Sequence, residues 1–161
     1  HPKAGELANE LARGAGSAGM IAGQVADMNL CQVGEGPDAL RYIHLRKTAA
    51  LITAAARMGG LCGQADERAL AAVTAAAENL GLAFQVFDDV LDVSGQAEQL
   101  GKTPGKDARA GKRTYVAELG LQTARDLGQR LSDQAAGALN VLDDRAQPLR
   151  TLIRLLAERT H

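Results

Sequence analysis

A chain of 161 residues, 46% of them hydrophobic, can bury one sizeable core and gives no reason to expect two domains. Its 18 Lys and Arg against 19 Asp and Glu leave a net charge of −1, so there is no overall attraction to nucleic acid. Aromatic residues make up 2% and alanine is abundant, while few β-branched or aromatic residues alternate with polar ones, which excludes strands in favour of small-residue helix packing.

The first predicted helix runs from about Ala4 to Leu30. Its middle, Gly14 to Gly19, is crowded with small residues, and glycine costs about 1 kcal/mol relative to alanine in a helix, so this stretch must pack closely or bend. A turn at Val33-Gly34-Glu35-Gly36 precedes Pro37, a residue suited to the first helical position. The second helix is expected to reach about Met58, with Gly59 and Gly60 ending it. Asp66 is a good N-cap for a third helix that continues to about Val93. A basic, glycine-rich loop follows. Tyr115 opens a further helical pattern, broken around Gly120, after which Leu121, Ala124, Leu127 and Leu131 recur at helical spacing and Leu139 and Leu142 extend the stripe. Asp143, Asp144 and Pro148 mark a turn before a last helix striped by Leu149, Leu152, Leu155 and Leu156. The expected fold is an all-α antiparallel helix bundle. No apolar stretch escapes polar interruption, by Glu78 and Asn79 for example, for the length of a bilayer crossing, so no membrane span is expected. Cys31 and Cys62 have no metal-ligand spacing and are too few for a disulfide scaffold, which fits free thiols in the cytoplasm.

Chemistry concentrates in Phe84-Gln85-Val86-Phe87-Asp88-Asp89-Val90-Leu91-Asp92. No lysine or arginine occurs between Arg68 and Lys102. On a helix Asp88 and Asp92 share one face, with Gln85 one turn before Asp88, and like charges so placed repel each other and the negative helix end. A cation is expected there. Clustered hard oxygens suit Mg²⁺, with Mn²⁺ also possible, especially a metal that also holds substrate phosphates. A solvated helix end is the competing reading of these acids alone. The next loop, Leu100 to Tyr115, carries Lys102, Lys106, Arg109, Lys112 and Arg113 against the single acid Asp107. Gly101, Gly105, Gly111 and Pro104 shape its backbone, and it lacks the Walker arrangement. Alone it reads as a solvated loop; directly after a carboxylate cluster it reads as the phosphate-neutralising half of a site.

The segments FQVFDDVLDV and LGKTPGKDARAGKRTY resemble the second aspartate-rich region and following basic loop of the trans-prenyl diphosphate synthases, particularly the bacterial farnesyl diphosphate synthases (geranyltranstransferases). Gly19 to Met28 is similar to the GMxxGQxxD helix of that family, and Ile43 to Leu51 to its IHxxKTxxL helix. Four motifs in the same order span most of Gly19 to Gly120. The first aspartate-rich motif of the family has no counterpart here, so residues 1–161 are expected to be the C-terminal half of a polyprenyl synthase domain, of the isoprenoid synthase fold. Ala49 stands where many relatives have glycine, which bears on the local helix bend.

The resemblance implies condensation of isopentenyl diphosphate with an allylic diphosphate, dimethylallyl or geranyl, to give farnesyl diphosphate. It implies a homodimer. Asp88 is the expected direct metal ligand, with Asp92 on its face and Asp89 acting through water. Lys47 and Lys102 are implied contacts to the allylic diphosphate, each a compact phosphate-seeking charge. Thr48 and Gln85 would present oxygen dipoles to the developing cation, Phe84 would line the isopentenyl pocket, and Lys112 would order the loop over phosphates. Gln24 and Asp27, one turn apart, fit a pocket wall plus an interhelical hydrogen bond. The isolated chain is expected to turn over poorly. Two other readings stand beside this one: a non-catalytic helical partner of a complete synthase, and, with less support, a class I terpene cyclase.

Overall fold

The computed structural model describes residues 2–99 and 113–158. Among them there are helices and no strands. The stretch expected as one helix from Ala4 to Leu30 is two, α1 (Ala4–Ala15) and α2 (Met20–Asp27). Crowded glycines explain the break. Gly16 and Gly19 take extended or irregular conformations, and a Cβ on Gly19 would lie 2.1 Å from the carbonyl oxygen of Gly14, so the chain folds back on itself more tightly than a side chain allows.

The second rod comprises α3 (Gly36–His44), a π-helical turn (Leu45–Ala49) and α4 (Ala50–Cys62). Pro37 sits in its first turn, as its fixed φ favours. The rod runs past Gly59 and Gly60 and stops at Gly63, so the expected end at Met58 is corrected by one turn. Glycine is tolerated inside this helix because of packing: a Cβ on Gly60 would sit 3.2 Å from the Leu70 side chain of the next helix. That helix, α5 (Glu67–Gln99), begins as expected, the Asp66 carboxylate accepting the Ala69 N–H at 2.7 Å. A short α6 (Tyr115–Leu119) ends at Gly120, whose φ of 81° is readily reached only without a side chain. Then come α7 (Leu121–Ala138), a 3-10 segment (Leu139–Ala146) and α8 (Gln147–Glu158).

Helix α5 is the axis of the bundle, packed by α4, the π turn, α7 and α8. Its upper half places Leu82, Val86, Phe87 and Val90 against Leu40, Tyr115, Ala124 and Leu131; its lower half places Val73, Ala76 and Leu80 against Ala135, Leu139 and Ile153. By length and composition α5 could cross a bilayer, but 61% of that apolar window is buried inside the protein. Its hydrophobicity serves the core.

Small residues set the helix spacing. A Cβ on Gly23 of α2 would lie 2.1 Å from the Lys47 backbone nitrogen, and one on Gly81 of α5 would lie 2.5 Å from Ala49 Cα. The π turn is therefore clamped between two glycines. Gly14 of α1 rests on Ala50 and Ala54 of α4 in the same manner, and Arg57 of α4 grips Glu10 of α1 through two hydrogen bonds of 2.8 and 2.7 Å. Overpacking a close backbone contact costs typically about 1–3 kcal/mol. Gly23→Ala is thus expected to lower unfolding free energy by about 2 kcal/mol in urea denaturation, while Gly59→Ala, with open space at its Cβ, raises it by up to about 1 kcal/mol.

Candidate active site

Lys47 and Thr48 stand in the π turn, a one-residue widening of the helical repeat of the kind that recurs at functional sites. The Lys47 ammonium meets Asp27 Oδ2, at the end of α2, at 2.5 Å, with both side chains a little over a quarter exposed. The clamp at Gly23 is what brings them together. Of the pair Gln24 and Asp27, Asp27 makes the interhelical bond and Gln24 is exposed.

The Thr48 hydroxyl lies 3.3 Å from Gln85 Oε1 on α5, positioned to donate to it. The Gln85 amide nitrogen donates to Asp89 Oδ1 at 3.3 Å, and Asp89 Oδ2 accepts the backbone N–H of Tyr115 at 2.9 Å. A chain of polar contacts thus runs from the π turn, across α5, to the first residue of α6. Asp89 is 1% exposed. The three aspartates that the sequence groups together divide: Asp88 and Asp92 face outward, Asp89 inward. The reason is helical geometry, since adjacent residues are rotated by about 100°, and Asp89 shares its arc with Gln85 and the core residue Val86.

Phe84, one turn before Asp88, is 37% exposed. Together with Asp88, Phe87, Leu91 and Leu156 of α8 it lines a small cavity of about 40 Å³. An aromatic wall and a solvent-facing carboxylate therefore adjoin. His44 is buried with its ring 5.5 Å from that of Tyr115, consistent with a structural residue. Burial pushes the Tyr115 phenol up to about 12; nearby Arg41 opposes the shift and Asp89 adds to it.

Lys102 and Lys112, with Lys106, Asp107 and Arg109, lie outside the described residues. Arg113 donates to the Gly34 carbonyl at 2.9 Å. The chain following the basic segment is thereby tied to the turn between α2 and α3.

Among the described residues no group of three or more His, Cys, Asp or Glu side chains could hold a metal by itself. Asp88 and Asp92 offer two hard-oxygen ligands on one face. That donor set fits Mg²⁺, which commonly uses one or two carboxylates and completes its shell with water and phosphate oxygens.

The sequence model of the polyprenyl synthetases matches residues 7–145. The chain belongs to the polyprenyl synthetase family. It is 44% identical over 154 residues to a protein named geranylgeranyl pyrophosphate synthase 11, chloroplastic, from Arabidopsis thaliana, covering 92% of this chain and 43% of that one. Among solved structures it is similar to an FPP/GFPP synthase from Zymomonas mobilis, at 31% identity and a TM-score of 0.78, covering 94% of this chain and 50% of that one. A geranyltransferase from Helicobacter pylori, solved with magnesium and isoprenyl diphosphate, gives 32% identity and a TM-score of 0.75, covering 96% and 50%. The chain thus spans about half the length of these relatives. The all-α fold expected from the sequence is the one these relatives share.

Sequence reasoning missed the inward turn of Asp89. The signal was present: Leu82, Val86 and Val90 define the buried arc of α5, and Gln85 and Asp89 fall beside it. Removing the Asp89 acceptor leaves a buried backbone N–H without its partner, so Asp89→Ala should cost about 1–3 kcal/mol of stability, while Asp88→Ala at the surface should stay within about 0.5 kcal/mol of the parent. Chemical denaturation of the two variants measures the contrast. A second expected outcome concerns alkaline pH. The folded state keeps the Tyr115 proton to about 12 against the ordinary tyrosine value of 10.0, so between these values the folded chain binds more protons than the unfolded one and loses stability as pH rises. A Tyr42→Phe variant isolates the Tyr115 signal, and its ultraviolet titration should show tyrosinate forming only toward the upper value.

Proposed function

We propose that this chain supplies the second metal-and-diphosphate half of a Mg²⁺-dependent prenyltransferase. The reaction joins isopentenyl diphosphate to an allylic diphosphate, dimethylallyl or geranyl. The observation that carries the proposal is the juxtaposition along α5: outward Asp88 and Asp92, Phe84 beside them, and Gln85 reaching the Lys47–Thr48 turn one helical turn below.

The chemistry is electrophilic alkylation. The allylic carbon–oxygen bond breaks with its electron pair on the departing diphosphate, the isopentenyl double bond forms the new carbon–carbon bond, and a proton is lost. Bound Mg²⁺ would neutralise the diphosphate, held by Asp88 and Asp92. Lys47 brings an ammonium to the diphosphate oxygens, and its contact with Asp27 fixes the direction of approach. The Thr48 and Gln85 oxygens offer a fixed dipole to positive charge on the allyl group, stabilisation that needs no reorganisation during reaction. Phe84 supplies apolar surface beside the carboxylates, where excluding water preserves a reactive cation. Asp89 positions the start of α6 and keeps Gln85 oriented. Lys102 and Lys112 complete the phosphate contacts in this proposal.

Farnesyl diphosphate is the product that the motif resemblance favours. Geranylgeranyl diphosphate is the second reading, supported by the name of the Arabidopsis relative; chromatography of the product formed from labelled isopentenyl diphosphate separates the two. The proposal includes a homodimer, to which exposed Leu11, Met20 and Ile21 on α1 and α2 would contribute apolar surface. Cytoplasmic placement is supported by the two free thiols, Cys31 and Cys62. In the protein that carries this chain, Asp88→Ala should lower turnover by about 100-fold or more, with the fold intact by circular dichroism. A near-parental rate would remove Asp88 from the site.

A further inference from the structure

A separate cleft of about 350 Å³ opens between α1, α4 and α5. None of Lys47, Thr48, Gln85 or Asp88 lines it. Four arginines do, Arg13, Arg41, Arg46 and Arg57, against two carboxylates, Glu10 and Glu78, a surplus of two positive charges. The charges are unevenly matched. Arg57 is committed: it holds Glu10 by two hydrogen bonds, donates to Thr74 at 2.9 Å and feels the charge of Glu78. Arg13, Arg41 and Arg46 make no salt bridge with a carboxylate among the described residues. Arg46 is instead laid over the Tyr42 ring, its guanidinium carbon 3.8 Å from the centroid, which limits its freedom and leaves its N–H edge for a ligand.

A second observation is independent of charge. Thr53, on the floor of the cleft and 8% exposed, has a hydroxyl with no hydrogen-bond partner. A buried polar group left unmatched costs about 1–3 kcal/mol, a cost that a bound acceptor would remove. Convergent guanidinium groups in a concave site focus positive potential and match phosphate geometry through paired N–H donors.

We propose that this cleft binds a small phosphate-bearing anion, at a site distinct from the aspartate face of α5. Its volume admits inorganic diphosphate or a compact phosphomonoester. Because no carboxylate pair of the aspartate face takes part, binding requires no divalent metal.

Isothermal titration of the full chain with inorganic diphosphate in EDTA tests the site. Saturable binding is expected, weakened about tenfold by Arg46→Gln or by Arg13→Gln, the loss of one charge-assisted hydrogen bond. Thr53→Val should weaken it less while leaving the fold intact, since the methyl fills the same space. Arg154→Gln, exposed on α8 and away from the cleft, should leave the metal-free affinity unchanged. No saturable binding into the millimolar range, an affinity indifferent to Arg13 and Arg46, or one lost with Arg154 would overturn the proposal. Titration with inorganic phosphate in parallel distinguishes a single-phosphate site, with equal affinities, from a diphosphate site.

Discussion

Two missing side chains hold this structure's functional end together. Gly23 and Gly81 allow the backbones of α2 and α5 to approach the π turn so closely that a Cβ on either would fall within 2.5 Å of it. At those separations the attraction is dispersion summed over many backbone atoms, and it fixes position more tightly than flexible side chains could. Lys47 is thereby delivered to Asp27, and Thr48 to Gln85, from adjacent positions of one turn. Ala49, between them and the core, is fully buried against Gly81. The Ala49 methyl group is accommodated because the residue facing it on the opposing helix is glycine.

From that clamp a polar strut crosses the bundle. Thr48, Gln85, Asp89 and the Tyr115 N–H form successive contacts, the last two deeply buried. Burying the Asp89 side chain carries a desolvation cost, which the Gln85 amide and Tyr115 backbone donors offset. The consequence is mechanical as well as energetic: the same α5 segment that turns Asp88 and Asp92 outward also anchors the start of α6. The outward pair and the inward aspartate therefore have separate structural roles although they are contiguous in sequence.

Where local chemistry decides, the sequence was readable. Asp66 caps α5, Pro37 opens the rod before the π turn, and Gly120 breaks the helix after Tyr115, each through an interaction within a few residues. Where the outcome depends on a neighbouring helix, it was not. Gly59 and Gly60 look like a terminator, yet α4 continues through them, with Leu70 of α5 packed against Gly60. The break between α1 and α2 was legible as a crowding of glycines, and its sharpness was not. The π turn left no composition signal, because it follows from register against Gly23 and Gly81. Of the candidate site, the sequence identified Asp88, Asp89, Asp92, Lys47, Thr48, Gln85, Phe84, Gln24, Lys102 and Lys112 as a group; the structure brings Thr48 to Gln85 and Phe84 to Asp88, gives Lys47 a partner in Asp27, and turns Asp89 inward.

The central claim is that one diphosphate site joins the π turn to the outward face of α5. Paramagnetic relaxation by Mn²⁺ tests it most directly, with an unreactive allylic diphosphate added to isotope-labelled protein. The account predicts that resonances of Asp88, Asp92 and the Lys47–Thr48 turn broaden together, at one apparent affinity, and only when metal and diphosphate are both present. Broadening that spares the π turn, or that centres on another surface while Asp88 and Asp92 stay sharp, would contradict it.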